Sequence, residues 1–195
     1  MPAAVTTDEI YQRYLDKAIT EINRLHHDVA QAAGGANAAQ PTGHPLANIF
    51  LLKYGPQAQE LQEGVAFHGR AGHALIRSLQ RLHVDASEVY GTNCLKFAGA
   101  APKVSREWLR RELRIVQPRL VVVMGEDALR FLNELDFSLS KPVEASLGKL
   151  QRFTPTIEAL VCPDIDASLD EQSAKTAFWN AFKHVGPWWA ALPPY

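Results

Sequence analysis

Four short apolar runs divide this chain, at residues 48–53 (NIFLLK), 88–93 (EVYGTN), 119–124 (RLVVVM) and 159–162 (ALVC), and helical patterns fill the intervals. GHALIRSLQRLH follows the first run, SREWLRRELRIV the second and EDALRFLNEL the third. Strands alternating with helices require crossover connections, which build a mostly parallel sheet with helices on both faces. The expected fold is therefore α/β, a three-layer α/β/α sandwich around a central, mostly parallel four-stranded sheet. A chain of 195 residues can bury one full core but not two of ordinary size, so a single domain over 1–195 is expected.

The flanks fit this plan. From 7 to 33, Ile10, Tyr14, Leu15, Ala18, Ile22, Leu25 and Val29 recur at intervals of three and four, which makes one helical face. Thr6 or Thr7 would cap that helix, with Glu9 in its first turn. GGANAAQPTGHP then reads as a surface loop leading into the core, 48–184. A last helix is expected over 169–184, capped by Asp166 or Ser168, and the tail 185–195 (VGPWWAALPPY) is expected to pack as an irregular strap.

Composition narrows the functional classes. The longest apolar runs fall well short of the ~20 residues of a membrane span, and no basic segment followed by an apolar one opens the sequence, so a cytoplasmic protein with no membrane partner is expected. Two cysteines, Cys94 and Cys162, cannot supply a four-cysteine metal or cluster site. A net charge of −1 means that contact with nucleic acid would have to come from a local basic patch.

In open α/β sheets, ligands bind at the carboxyl ends of the strands. Those ends carry YGPQ after Lys53, NCLK at Asn93, GED after Met124 and CPDID at Cys162. Together these segments resemble the uracil-DNA glycosylase superfamily, and are most similar to its family four, the iron–sulfur type. KYGPQAQELQEGVAFHGRAG is similar, without a gap, to the pattern G-E-A-P-G, then E, then G-x-P-F-x-G-x-A-G. VYGTNCLKF resembles the second motif, a strand ending in Asn; QPRLVVVMGEDAL resembles P-K-x-x-x-x-L-G-x-x-A; VCPDIDASL stands where the family has H-P-S or H-P-A. The resemblance runs over roughly 48–183.

Such enzymes hydrolyse the N-glycosidic bond of a base flipped out of the DNA stack. The resemblance implies a base pocket in which the Phe67 ring stacks on the base, Asn93 reads its edge through an amide that both donates and accepts, and Gly55 and Pro56 shape the wall. Plain alternatives are a core phenylalanine beneath the following helix and a strand-end asparagine bonded to nearby backbone. The family's catalytic Glu and His align with Tyr54 and Cys162, and neither replacement is competent for the usual mechanism: a phenol is a poor base at neutral pH and a thiol a weak donor. Glu60 and Asp164, with Asp166, are the possible substitutes; His68 and His73 flank the Phe67 loop as further donors. The later pair of cluster cysteines aligns with Phe97 and Ser105 and the N-terminal helix contains none, so no cofactor is expected.

DNA is the expected partner, bound in a salt-dependent way. Gly69 and Arg70 lie on the Phe67 loop, Gly125 opens a helix whose backbone N–H groups could meet a phosphate, and Arg106, Arg110 and Arg114 form a helical stripe with Arg111 alongside and Arg119 beyond. The alternative for the stripe is a solvated face balanced by Glu107 and Glu112. Two functions stand side by side: base-excision hydrolysis of uracil or another deaminated base with an atypical catalytic set, and a catalytically silent homologue acting as a DNA-binding or interaction protein. A hydrolase of the same fold acting on a free nucleoside or a small molecule is a third.

Overall fold

A computed structural model describes residues 6–193. Six strands form one sheet: β1 (Thr42–Gly43), β2 (Ile49–Lys53), β3 (Val89–Asn93), β4 (Leu120–Met124), β5 (Leu150–Arg152) and β6 (Glu158–Cys162), in the order β1-β3-β2-β4-β6-β5. The four central strands β3-β2-β4-β6 are all parallel, as expected. Two short antiparallel strands add to this plan, β1 on one edge and β5 on the other. With two and three residues they carry too little pattern to be read from sequence.

The central strands read as continuous apolar runs because helices cover both faces. One face packs Phe50, Leu52, Tyr90, Val121, Val123 and Val161 against α4 (Pro102–Val116) and α5 (Glu126–Asn133). The other packs Ile49, Leu51, Val122, Met124 and Cys162 against α3 (Arg70–Arg81), α6 (Gln172–Phe182) and α7 (Val185–Ala190). Successive strand residues alternate between the two cores, which makes the three layers.

Helix α1 (Thr7–Ala33) starts in a capping box: the Thr6 hydroxyl accepts from the Glu9 amide and the Glu9 carboxylate accepts from the Thr6 amide. It buries Ala18, Ile22, Leu25 and Val29 and ends at Gly34, whose φ of 58° suits a residue without a side chain. Two further short elements are the helix α2 (Ala58–Glu63) and a 3₁₀ turn at Ala86–Glu88. Among the described residues no helix is long and apolar enough to cross a membrane.

Two expectations change. The tail is not irregular: α7 buries Trp188, whose indole N–H donates to Glu158 at 2.7 Å, while residues 194–195 lie outside the described part. The helix expected over 169–184 is α6, which begins after Glu171 with no side-chain cap, so neither Asp166 nor Ser168 caps it. Asp166 instead turns back to the strand ends, and the Ser168 hydroxyl donates to the Asp164 carbonyl at 2.6 Å.

Candidate active site

The parallel register brings the last residues of the four central strands level: Asn93 beside Lys53, Lys53 beside Met124, and Met124 beside Cys162. Residues level in parallel strands point to the same face, so a lysine and an asparagine terminate a face that is otherwise apolar. Lys53 is 1% exposed, and a buried ammonium requires partners for its three N–H groups. It has them in Glu60 at 2.5 Å, Asp166 at 2.8 Å and the Gly55 carbonyl at 3.0 Å, and it lies 5.6 Å from the centroid of the Phe67 ring.

Glu60 joins the rest of the site together. One oxygen accepts from Lys53 and from the Gln57 amide at 2.7 Å; the other accepts from the Phe67 amide at 2.5 Å and from the Asn93 side-chain Nδ2 at 3.2 Å. A carboxylate so fully engaged acts as a scaffold rather than as a base. It also explains why α2 exists, since that one-turn helix places Glu60, its buried residue, beneath the loop that follows.

Phe67 needs such support because its φ is +62°, in the left-handed region that bulky residues avoid. Small neighbours make room for it. A Cβ on Gly91 would lie 2.8 Å from Phe67 Cδ2, and one on Gly72 would lie 2.1 Å from the Phe67 carbonyl oxygen. Phe67 is 7% exposed and Asn93 wholly buried. The Asn93 amide nitrogen is spent on Glu60, while its Oδ1 has no hydrogen-bond partner among the described residues.

Two hollows flank the Phe67 loop. A polar cleft of about 250 Å³ opens beside Gln57, Glu60, His68, Arg70, Asp166 and Asp170. An apolar cavity of about 320 Å³ lies between α3 and the β1 edge, where the Phe67 ring, Leu75 and Gly91 form its wall and His73 also lines it. Glu60, Asp166 and His68 thus meet at one cleft, which His73 and Asp164 do not line. Asp164 accepts from the amides of Asp166 (2.8 Å) and Ala167 (3.2 Å), and so shapes the turn that delivers Asp166.

The remaining expected residues are more dispersed. Tyr54 is exposed, its ring edge-on to Phe131 at 6.3 Å. Cys162 and Cys94 are fully buried, and burial pushes both thiols far above the ordinary cysteine range, so neither serves as a thiolate. Gly69 precedes α3 with φ 108°, and exposed Arg70 pairs with Asp170 at 2.7 Å on the rim of the cleft. Pro56 and Gly55 follow Lys53 as partly exposed loop residues. Gly125 faces Asp164, and α5 carries Glu126 and Asp127 in its first turn, so three carboxylates oppose an anion there.

On α4 two of the three stripe arginines and Arg111 beside them are committed within the molecule, Arg106 to Glu134 at 2.6 Å, Arg110 to Glu107 and Arg111 to Asp28 at 2.6 Å, while Arg114 is exposed. Glu112, which the alternative reading of the stripe places on a solvated face, is instead wholly buried and pairs with Lys96 at 2.6 Å. At the two positions aligned with cluster cysteines, Phe97 and Ser105 are buried, and Phe97 packs with Leu25, Val29, Ala100 and Trp108. That apolar plug offers no thiolate, so the residues present do not fit an iron–sulfur cluster. Lys53 went unremarked in the sequence. The signal available was its place at the first position of the G-E-A-P-G pattern, where the pattern has a glycine and this chain a lysine.

Comparison with known proteins supplies an independent line. Residues 40–184 match the family model described as the uracil DNA glycosylase superfamily. The chain is also 24% identical over 164 residues to the type-4 uracil-DNA glycosylase of Archaeoglobus fulgidus, an alignment covering 77% of this chain and 81% of that relative.

Proposed function

The chain belongs to the uracil DNA glycosylase superfamily, and from that premise we propose that it is a DNA glycosylase for uracil or another deaminated base in which Lys53 and Asp166 replace the family's two catalytic groups. The observation that carries this reading is one arrangement. The Lys53 ammonium lies 5.6 Å from the Phe67 ring centroid and 2.8 Å from Asp166, whose side chain is 18% exposed and opens on the polar cleft.

In this mechanism the extruded base stacks on Phe67 and offers an N–H to the unpaired Asn93 Oδ1. The bond between the base nitrogen and the sugar C1′ breaks with both electrons leaving on the base. The Lys53 ammonium stabilises the resulting anion, and the Asp166 carboxylate opposes the positive charge developing on the sugar. Water then adds to C1′ and gives its proton to Asp166. Arg70, exposed on the rim of the cleft, is the cation best placed for a flanking phosphate.

A second reading, a silent homologue that binds DNA without cutting it, has its own support. All three Lys53 N–H groups are already engaged, and Asn93 is sealed. Excision assays on single-stranded and mismatched duplex oligonucleotides carrying uracil, hypoxanthine or xanthine separate the two. The glycosylase expectation is product from the wild type, none from Asn93→Ala, and a loss on the order of 100-fold or more for Asp166→Asn and Lys53→Met. Wild-type binding without product would establish the silent reading.

A further inference from the structure

A second buried cluster lies directly behind the strand end that carries Asn93. Lys96 and Glu112 are both completely buried. The Lys96 ammonium donates to Glu112 Oε2 at 2.6 Å, to the backbone carbonyl of Asn93 at 2.8 Å and to the Thr92 hydroxyl. Glu112 Oε1 in turn accepts from the Tyr90 hydroxyl at 3.0 Å and the Thr92 hydroxyl at 2.8 Å. Each N–H of the ammonium has a partner, and the carboxylate accepts three bonds. The cluster ties three successive parts of one segment, Tyr90, Thr92 and Asn93, to helix α4.

We propose that Lys96 and Glu112 are positioning residues for base recognition, holding the Asn93 backbone so that its amide keeps one orientation toward Glu60 and the base; this rests on the assignment of Asn93 as the base-reading residue. The geometry supports the role in three ways. The chain leaves the sheet at Asn93, so its carbonyl lies at the last level of the ladder, where β2 ends too. The neighbouring amides of Cys94 and Leu95 are held by the carbonyls of Lys53 at 2.8 Å and Tyr54 at 2.9 Å, and the Asn93 carbonyl accepts from Lys96 at 2.8 Å, with the Thr92 hydroxyl farther off at 3.5 Å. Asn93 also carries an unpaired buried acceptor, and such a group keeps its aim only where the backbone beneath it cannot relax. A misplacement of about 1 Å in a group that orients substrate can lower a rate on the order of 100-fold.

The test uses the double variant Lys96→Met, Glu112→Leu, which removes both charges at similar volume and leaves no unpaired ion. Two quantities are read: the ratio of affinities for uracil-containing and undamaged oligonucleotides, and the side-chain amide resonances of Asn93 in a nitrogen-15 spectrum. The expected result is a folded protein whose preference for uracil falls by tenfold or more, to within reach of Asn93→Ala, with the Asn93 amide resonances broadened or moved. A merely structural cluster would leave both readings at their wild-type values, and that result overturns the proposal. If the double variant does not fold, Glu112→Gln decides. It keeps the shape but puts an NH2 group, which only donates, where one oxygen now accepts, either from Lys96 or from Tyr90 and Thr92, so moved or broadened Asn93 resonances in a folded protein are expected, and resonances at their wild-type positions overturn the proposal. A wild type without any preference for uracil would remove the assignment of Asn93, whereas the resonances would still answer whether Lys96 and Glu112 hold it.

Discussion

Two lysines beside the same strand ends are built into opposite kinds of site. Lys53 and Lys96 are each buried, and each has a glutamate within 2.6 Å. The Lys96 cluster is sealed, with both partners at 0% side-chain exposure. The Lys53 cluster has a second carboxylate, Asp166, that reaches an open cleft, and an aromatic ring alongside. An ion in the sealed cluster cannot exchange a partner without leaving a charge stranded. In the open cluster a substrate or water can take the place of Asp166 at modest cost. The same pair of residue types thus forms a closed brace in one place and a cluster that adjoins an open cleft in the other.

The largest expected effect tests that contrast directly. Lys96→Met leaves the Glu112 carboxylate buried without its cation and should cost about 3–5 kcal/mol of folding stability. Lys53→Met leaves Glu60 three other donors and lets Asp166 turn to water, so about 1–3 kcal/mol is expected. Urea unfolding of both variants, compared at unchanged slope, measures the gap. Equal losses would erase the distinction between the sealed and open clusters.

A smaller effect sharpens what is special on the open side. Gly91→Ala would set a methyl group 2.8 Å from Phe67 Cδ2 and 3.0 Å from Cε2, and the ring cannot retreat freely because its backbone is held at φ +62° by Glu60. The expected cost is about 1–3 kcal/mol. Combined with Phe67→Ala the two losses should fail to add, by about 0.5–3 kcal/mol, because the second change removes the clash. Additive losses in thermal or urea unfolding would mean that Gly91 acts on something other than the ring.

How much of this was legible in the sequence follows from burial. The four parallel strands were, because helices on both faces leave continuous apolar runs such as LVVVM. The edge strands β1 and β5 and the one-turn helix α2 were not, since two to six residues hold too little periodicity. Phe67 and Asn93 came forward through a family pattern of matching residues, but Lys53 matches nothing in that pattern and ends an apolar run the way a solvated strand end would. Glu112 failed for a related reason. Its place among arginines on α4 suggested a surface charge balance, whereas its own partner, Lys96, is sixteen residues away on the far side of a loop. Charge pairs made by tertiary contact leave no spacing to read.

The smallest expected effect concerns the exposed ion pairs, a third class beside the two buried ones. Arg106 and Arg110, with side chains 29% and 21% exposed, already have Glu134 and Glu107, and surface pairs of this kind contribute roughly 0–1 kcal/mol. Arg106→Ala and Arg110→Ala should therefore change stability by less than about 1 kcal/mol. If the chain binds DNA as proposed, they should also leave the salt dependence of that binding as it is, because releasing either guanidinium for a phosphate would strand a carboxylate facing the DNA. Arg70 differs: its side chain is 66% exposed, its partner Asp170 is 74% exposed, and both border the cleft. If Arg70 meets a phosphate, Arg70→Ala should reduce the slope of log affinity against log salt by about 0.9, the loss of one phosphate contact. A reduced slope for Arg106→Ala with none for Arg70→Ala would move the DNA from the open lysine cluster toward α4, and with it the surface through which this fold meets its substrate.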